Sequence, residues 1–335
     1  MNGKIKVVYA LLLMLMVSCT HKELCLHYPH RARIRVNVDW SQFPEEEPTG
    51  MTLMTYPASG GTPQTVLSNT LDHVYVNLEA GDYHTLMFNQ SVSEFGAFLF
   101  RDMDTWEKAE VVAASVTSRW YENRSERVVT EPEWLGIDSD GEVEVTPEMA
   151  ETSSVHMGSA PKLVDEYVIA THVPKNIIYK LVVRVNIKGV YNLRSARAAL
   201  EGMSEGVLFS TLRRSDEKVT QLLESWKLTV DKEDPTRGYI ETSIKCFGLP
   251  HSHAGKPEEN LFALSLLLVD NKTIVDFPFE VGHEFEKDKD GKLVLYLELD
   301  LPDPLPDVKP EGGSSSGFDA TVEDWGDEIE HEIEM

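Results

Sequence analysis

The residue whose position predicts the most definite chemistry is Cys19, which follows an apolar segment that begins at Val7 and ends at Ser18. Lys4 and Lys6 precede that segment. A basic start, an apolar stretch of secretory length and a small residue before the cleavage point are typical of a signal peptide. A cysteine directly after the small residue predicts a bacterial lipobox, in which the thiol is acylated and the chain is cut before it. We therefore expect lipidation of Cys19, with a plain signal peptide and an incidental cysteine as the alternative.

Two groups of residues have the chemistry of metal ligands. Cys25, His27 and His30 have a C-x-H-x-x-H spacing that zinc could use, and His251 and His253 flank a single serine. A structural zinc site needs four ligands and hydrogen-bonding partners that orient them, and the first group supplies neither. We interpret the first group as part of a polar leader and the second as loop histidines, and we expect no bound metal and no cofactor.

Two acidic stretches, Glu286 to Gly291 and Asp138 to Gly141, resemble the start of a calcium-binding loop. An EF-hand requires an acidic residue at its twelfth position and a helix on each side. Leu297 occupies that position after Glu286, and it lies in a predicted strand. Both stretches are therefore predicted to be Asp-Gly turns of β-hairpins.

Nucleophile and cofactor motifs are missing from the sequence, which contains no Gly-x-Ser-x-Gly elbow, phosphate loop or Gly-x-Gly-x-x-Gly fingerprint. We assign no catalytic residue and expect the protein not to be an enzyme. Trp120, Tyr121 and Trp134 form either an exposed platform for sugars or part of a core, and aromatic residues of β-sandwiches favour the core. Cys25 and Cys246 are either two free thiols, which we favour, or a disulfide.

The charge of the chain restricts its partners. The 335 residues include 56 Asp and Glu against 31 Lys and Arg, for a formal net charge of −25. Because nucleic-acid binding needs clustered basic residues, this charge argues strongly against a nucleic-acid partner. It also argues against adsorption to an anionic lipid surface, so attachment to a membrane must come from the acylated N-terminus.

The elements that must position these residues are short strands. Ile34, Val36, Val38 and Trp40 alternate with polar residues, which predicts a half-buried antiparallel strand. Similar strands recur at roughly ten-residue spacing with turn signals between them, a pattern typical of β-sandwiches. Alanine and leucine residues between Leu193 and Gly202 predict one short helix. The expected fold is all-β, with two tandem antiparallel β-sandwich domains and this single helix in the second.

The predicted organisation is a signal peptide (1–18), a lipidated tether (19–30), an N-terminal β-sandwich (31–160), a C-terminal β-sandwich (161–325) and an acidic tail (326–335). A Gly- and Ser-rich joint precedes a last strand in which Phe318, Ala320 and Val322 alternate with polar residues. This candidate assembly strand can pair within its own chain, or with the open sheet edge of a neighbouring subunit by strand addition. We favour pairing within the chain because the joint is short.

Several stretches resemble the fimbrillin-like (Mfa-like) lipoproteins of Bacteroidales-type Gram-negative bacteria. They are the tether at 21–25, the first-strand end Asp39-Trp40-Ser41, the hairpin Leu78-Glu79-Ala80-Gly81-Asp82-Tyr83, the strand end Phe247-Gly248-Leu249-Pro250 and the closing strand at 317–325. The resemblance implies two transthyretin-like β-sandwich domains and an anchor in the cell envelope. Some members of that family build or cap fimbriae and mediate adhesion, and the resemblance implies a related role for this chain.

Structural members of that family are released by proteolysis after a basic residue, which frees a groove for a donor strand. Arg31, Arg33 and Arg35 are basic, but they lie within or beside the first predicted strand, so cleavage there would damage its pairing. The resemblance therefore implies an outer-membrane lipoprotein, lipid-anchored and at the cell surface, that acts as a fimbrial accessory, tip or adhesin component. The expected partners are the membrane, through the lipid, and fimbrial subunits or surface ligands of the host or of bacteria.

Two alternative functions stay open on the sequence. One is a glycan-capturing surface lipoprotein, which a surface-exposed strip of aromatic residues would favour. The other is an enzyme, which a buried carboxylate pair in a cleft would favour, because carboxylates are too numerous here to exclude such a pair by counting. An apolar groove between sheet edges would favour assembly instead.

Overall fold

The computed structural model describes residues 31–118, 120–121, 126–153 and 167–310. Within these ranges the chain consists mainly of strands joined by short connections. The strands are β1 (Ala32–Val38), β2 (Met51–Pro57), β3 (Gln64–Ser68), β4 (His73–Leu78), β5 (Gly81–Asn89), β6 (Phe98–Arg101), β7 (Glu110–Ala113), β8 (Arg127–Val129), β9 (Gly136–Val145), β10 (Tyr167–His172), β11 (Lys175–Asn176), β12 (Tyr179–Lys188), β13 (Leu193–Ser204), β14 (Gly206–Leu208), β15 (Arg213–Arg214), β16 (Lys218–Leu223), β17 (Lys227–Val230), β18 (Arg237–Cys246), β19 (Leu261–Leu268), β20 (Ile274–Glu280), β21 (Glu286–Lys287) and β22 (Val294–Asp300). The helices are α1 (Pro147–Ser153) and the 3-10 turns Trp40–Gln42, Val92–Glu94, Val190–Asn192 and Pro257–Glu259.

The first β-sandwich consists of a three-stranded sheet, β10-β1-β4, and a five-stranded sheet, β11-β9-β5-β2-β3. The predicted alternation of the first strand is confirmed, because Ile34, Val36 and Val38 are buried. They pack in one apolar cluster with Leu53 of β2 and Val143 of β9. Alternation places one face of each strand against the other sheet, and burial of apolar surface, at about 25 cal/mol per Å², holds the sheets together.

The second β-sandwich consists of two five-stranded sheets, β17-β18-β12-β22-β21 and β20-β19-β13-β16-β8. The predicted alternation around Val183, Val185 and Ile187 is confirmed, since all three side chains are buried. They belong to the same apolar cluster as Leu200 of β13 and Leu264 of β19. The prediction of an all-β protein with two sandwiches is thus confirmed.

A single apolar cluster connects the two sandwiches. Besides the second sandwich it includes Phe88 of β5, on the far face of the first sandwich's larger sheet, and Val111 of β7. The β7 strand belongs to a four-stranded sheet, β15-β14-β7-β6, that combines strands from both halves of the sequence. Phe88 also stacks on Phe209, with the ring centroids 6.3 Å apart. The two sandwiches therefore share buried apolar surface.

Strand partners cross the midpoint of the sequence. The β10 strand pairs with β1, β7 pairs with β14, and β8 pairs with β16. The β1–β10, β8–β16 and β12–β22 pairs are parallel, whereas the remaining named pairs are antiparallel. The division of the chain at residue 160 stays a prediction, and strands from both sides of that position share sheets.

The short helix predicted for the second half is wrong. Residues 193–202 form most of β13, a central strand that pairs with β16 on one edge and β19 on the other. Alanine favours helices in isolation, but pairing on both edges and burial of Ala196, Ala198 and Leu200 override that preference. The α-helix of the described residues is α1, which follows β9. Within those residues, no helix combines the length and the apolar character needed to cross a membrane.

Of the two predicted Asp-Gly turns, one is confirmed and one is wrong. The turn that ends at Gly291 joins the antiparallel strands β21 and β22. Residues 138–141 instead continue β9, which pairs with β5 across an irregularity opposite Thr85. Gly141 is required there by close packing, since a Cβ at this position would lie 2.0 Å from Thr85 Oγ1 and 2.6 Å from His172 Cε1.

We predict that Val185→Asp lowers the free energy of unfolding by about 3 kcal/mol or more, because it buries an unpaired charge in a central strand. Val182→Asp is the matched control: Val182 lies on the same strand but on the opposite, half-exposed face, and should cost less than about 1 kcal/mol. Urea denaturation of both variants measures the difference. Equal unfolding midpoints would contradict the assignment of faces in β12.

Candidate assembly and binding surfaces

The first strand is the middle strand of its sheet. Ile34 lies opposite Tyr167 of β10 on one side and Val76 of β4 on the other, so β1 is hydrogen-bonded along both edges. Arg33 places its guanidinium 4.2 Å from the centroid of the Tyr75 ring. Cleavage after Arg33 would remove part of a strand that both neighbours need.

A polar cavity of about 550 Å³ lies beside the start of β1. Gln64 of β3 and Asn77 of β4 line it from the two sheets, together with Arg31 and Tyr83. Arg31 forms an ion pair with Glu79 at 3.1 Å. The lining is rich in polar groups, so this gap between sheet edges is not the apolar groove that would identify an assembly site on its own.

The β3 strand forms the open edge of the larger sheet in the first sandwich. The backbone N–H of Gln90 donates to the carbonyl of Gly50, and that of Ala58 donates to the carbonyl of Asp82. With the β2–β5 register, these two bonds identify the residues of β2 that are hydrogen-bonded to β5. Bonds in an antiparallel ladder alternate, so even-numbered residues of β2 bond β5 and odd-numbered residues bond β3. It follows from the β2–β3 register that the backbone N–H and C=O groups of Thr65 and Leu67 face the open edge.

The side chains of β3 leave this edge unprotected. The strand reads Gln-Thr-Val-Leu-Ser, without a charge or a proline. Leu67 is 62% exposed, the largest fraction among the exposed large apolar residues that the structure describes. An uncharged, exposed strand edge with unpaired backbone groups is the feature that strand addition uses.

In contrast, the edge strand β20 of the second sandwich is protected against the addition of another strand. The backbone N–H of Leu268 donates to the carbonyl of Thr273, and that of Val281 donates to the carbonyl of Asn260. With the β19–β20 register, these bonds show that the odd-numbered residues of β20 are hydrogen-bonded to β19. The even-numbered residues of β20 therefore face the open edge, and they include Pro278, which has no N–H to donate. Asp276 and Glu280 add negative charge to the same edge, so an incoming strand would meet a missing donor and two carboxylates.

In the first sandwich, Thr85, His172 and Asp138 form a buried polar cluster. Its sequence of hydroxyl, imidazole and carboxylate is that of a hydrolase triad, but the cluster is not accessible to a substrate. The Oγ1 atom of Thr85 lies 3.0 Å from Nε2 of His172, and Nδ1 of His172 lies 3.2 Å from Oδ2 of Asp138. Thr85 and His172 are 0% and 1% exposed, and the Thr85 hydroxyl donates to the carbonyl of Gly141 at 2.9 Å. A substrate has no access to this hydroxyl, so the cluster joins β5, β9 and β10 and is structural.

One pair of carboxylates, Glu110 and Glu205, is compensated by arginines. Arg101 contacts Glu110 at 3.4 Å and Glu205 at 3.3 Å, and Arg127 also forms an ion pair with Glu205. Burial raises the pKa of Glu110, while the Arg101 guanidinium opposes that shift. Glu205 follows β13, whereas both arginines come from the first half of the chain. This network therefore links the two halves, and its role is structural.

The aromatic residues singled out in the sequence do not form one platform. Trp120 and Tyr121 contact each other at 5.5 Å, and Arg197 lies 4.4 Å from the Trp120 ring centroid. The Trp120 N–H donates to Glu224 at 2.7 Å. Trp134 packs against the shared apolar cluster instead, with Lys245 Nζ 5.4 Å from its ring centroid. One face and the polar edge of Trp120 are therefore already occupied by protein groups.

Other predicted sites have separate outcomes. Cys19, Cys25, Phe318, Ala320 and Val322 lie outside the described residues. Cys246 is fully buried, and this burial raises the pKa of its thiol to about 12. His251 and His253 lie on a loop, as predicted, and no group of three or more His, Cys, Asp or Glu residues in the described ranges is arranged to hold a metal.

Comparison with known proteins gives a family and a shared fold. A family model described as a domain of unknown function, DUF5119, matches residues 18–224. The structure resembles a candidate adhesin from Bacteroides ovatus, with a TM-score of 0.54 and 14% identity over 88% of this chain and 98% of that one. The fimbrial anchor protein Mfa2 from Porphyromonas gingivalis gives a TM-score of 0.47 and 9% identity over 81% and 90% of the two chains. Among curated proteins, none matches this sequence.

The Bacteroides ovatus likeness shows that this chain and that protein share a fold. The open edge of β3 was not apparent from the sequence, because Gln-Thr-Val-Leu-Ser lacks a clear alternation of apolar residues. Its exposure follows from the sheet order, which places β3 outermost.

We predict that His172→Ala lowers the free energy of unfolding by about 2 kcal/mol or more, because it opens a cavity and removes the contact to Thr85. His251→Ala, at an exposed loop position, is the control and should change stability by less than about 0.5 kcal/mol. Thermal and urea unfolding of both variants test this. A His172→Ala protein as stable as the parent would contradict the structural role of the cluster.

Proposed function

We propose that this chain, which belongs to the DUF5119 family of domains of unknown function, is an envelope-anchored lipoprotein and a fimbrial accessory, tip or adhesin-type component. The observation that carries the proposal is the central position of β1 between β4 and β10. Because β1 is bonded on both edges, we propose that it remains in the mature protein, together with the tether that joins it to the lipid. The shared fold with a candidate adhesin supports the same class of function.

The retained first strand favours an anchoring or terminal role over that of a shaft subunit. A shaft subunit that accepts a donor strand must first lose a strand of its own. In this chain, loss of β1 would expose the buried side chains of Ile34 and Val36 and leave β4 and β10 without their common partner. Burial of two such side chains contributes about 3–6 kcal/mol, so an intact β1 is strongly favoured.

The tether places the first sandwich near the membrane. Thirteen residues, from Cys19 to Arg31, separate the proposed lipid from the start of β1. Fully extended, they would reach roughly 45 Å. We therefore propose that the end of the sandwich with Arg31 and Glu79 faces the outer membrane, with the acidic chain otherwise at the cell surface. Catalysis plays no part in this proposal.

Assembly is proposed to use the open edge of β3. The occupant is one extended strand from another subunit of the same surface appendage, which would bond the free backbone groups of Thr65 and Leu67. The absence of charge and proline in β3 and the protection of β20 support this edge over the other. The strand around Phe318 and Ala320 is proposed to pair within its own chain, so it is not the occupant.

A photo-crosslinking amino acid at Leu67 tests this edge in intact cells. Ile274, an apolar residue that is 49% exposed and lies on the protected strand β20, is the matched control position. We expect ultraviolet light to join position 67, but not position 274, to a strand-forming segment of an appendage subunit, identified by mass spectrometry of the joined peptides. Adducts of equal yield at both positions, or none at position 67, would contradict assembly through β3.

A further inference from the structure

A cavity of about 270 Å³ in the second sandwich is lined by a concentration of basic side chains. Arg214, Lys287, His251, His253 and His283 contribute to it from separate elements of the chain. Among the described residues, its lining includes none of the Asp or Glu side chains that give the chain its net charge of −25. A basic cavity in so acidic a protein creates a local field that favours an anion.

Arg214 is the side chain on which the site depends. Its Nη1 donates to the hydroxyl of Tyr179 at 2.9 Å, and its guanidinium carbon lies 5.3 Å from the centroid of the same ring. Its Nε is buried without an acceptor, and in the part of the chain that the structure describes Arg214 forms no ion pair. The adjacent Arg213, in contrast, is paired with Asp216 at 2.7 Å. A guanidinium without a counter-ion is suited to a two-oxygen anion, which it can bind with two N–H groups.

The position of Tyr179 is fixed by the backbone behind it. Gly248 has a φ of +86°, a left-handed conformation that favours glycine. A Cβ at this position would lie 2.9 Å from Cδ2 of Tyr179, so only a glycine allows the ring to pack this closely. The ring in turn supports the guanidinium of Arg214, so the cation is held in place before any ligand arrives.

Hydrogen bonds also orient the histidine side of the cavity. Asn260 donates its Nδ2 to the carbonyl of Glu201 at 2.9 Å, so its Oδ1 is left to accept from Nε2 of His253 at 2.9 Å. His253 packs edge-on against Phe285, with the centroids 6.4 Å apart. This network fixes both the position of the imidazole and the nitrogen that carries its proton.

The loop that carries the histidines is tied to the strand that carries the arginines. Ser252 donates its backbone N–H to Oδ1 of Asp216 at 2.7 Å. That bond, with a smaller contribution from Arg213, lowers the pKa of Asp216 to about 2, so the carboxylate stays ionised at neutral pH. Both sides of the cavity are therefore held in place by the fold.

Two carboxylates contact histidines of the cavity, but they do not line the cavity themselves. Glu259 lies 3.6 Å from Nε2 of His253, and Glu284 lies 2.9 Å from Nε2 of His283. Neither forms an ion pair with Arg214 in the described structure. The positive charge of the guanidinium thus stays available to a ligand, whereas the histidines are partly compensated.

The remaining walls are apolar. Leu249, Pro250, Phe285 and Leu295 line the cavity together with the ring of Tyr179. A ligand that fills the cavity must therefore combine an anionic group for Arg214 with an apolar body. The volume is below the roughly 300 Å³ at which drug-sized sites begin, so the ligand must be small.

We propose that this cavity binds a small organic carboxylate with an apolar ring or chain. The carboxylate bonds the guanidinium of Arg214, Lys287 adds a second positive charge, and the apolar body lies against Tyr179 and Phe285. This site is separate from the edge of β3, and it does not depend on the proposed role in assembly.

Ligand-observed NMR titration of the mature lipoprotein, purified in detergent, tests the site with benzoate as the probe. Benzyl alcohol has a similar ring without the charge, and inorganic phosphate has the charge without the ring. We expect saturable binding of benzoate that is about tenfold or more tighter than binding of either control, because the bonds to Arg214 need the carboxylate and the contacts with the apolar walls need the ring. Equal binding of benzyl alcohol, stronger binding of phosphate or no saturable binding of benzoate would each overturn the proposal.

Two arginine variants locate the binding on the protein. Arg214→Gln should weaken benzoate binding about tenfold or more, whereas Arg237→Gln, at an exposed arginine outside the cavity that pairs with Asp234, should leave it unchanged. Circular dichroism checks that both variants are folded. Lys287→Gln, at an exposed position, provides a second variant if Arg214→Gln fails to fold, and it should weaken binding severalfold. Unchanged affinity in a folded Arg214→Gln or Lys287→Gln protein would overturn the assignment.

Discussion

The pairing of β1 with two neighbours is the constraint on which the rest of the first sandwich depends. One partner, β4, follows about forty residues later, but the other, β10, lies more than 130 residues along the chain. The small sheet is complete only when β10 has returned to lie parallel to β1, and the cluster of Thr85, His172 and Asp138 then ties β10 to the larger sheet. A strand held in this way is difficult to exchange, which is why a permanently tethered role follows more readily than donor-strand assembly through β1.

Pairing between strands that are distant in the sequence also joins the two sandwiches. Strands β7 and β8 of the first half find partners in β14 and β16, and Glu205 lies between arginines from that first half. Loss of the arginines would leave the buried Glu205 carboxylate uncompensated, and an uncompensated buried charge is costly. The shared apolar cluster adds the larger, non-directional contribution. The β3 edge lies outside these joints, whereas the basic cavity borders them, because Arg214 belongs to β15 in the sheet that joins the two halves.

Sequence patterns predicted the parts of the fold that obey local rules. Alternation identified β1 and β12 because one face of each strand is buried and the other is half-exposed. It failed for β13, where burial on both faces removes the alternation and alanines suggest a helix, and at 138–141, where packing against His172 replaces the expected turn. The open edge of β3 and the cavity around Arg214 could not be predicted, because sheet order and residues from separate loops create them.

The central claim is that the mature protein keeps its first strand and is attached through the residues that precede it. Mass spectrometry of the N-terminal peptide of the protein purified from outer membranes tests this most directly. An intact β1, preceded by a tether that begins with an acylated Cys19, is the predicted result. A mature N-terminus at Ala32, Ile34 or Val36, produced by cleavage after one of the three arginines, would contradict it.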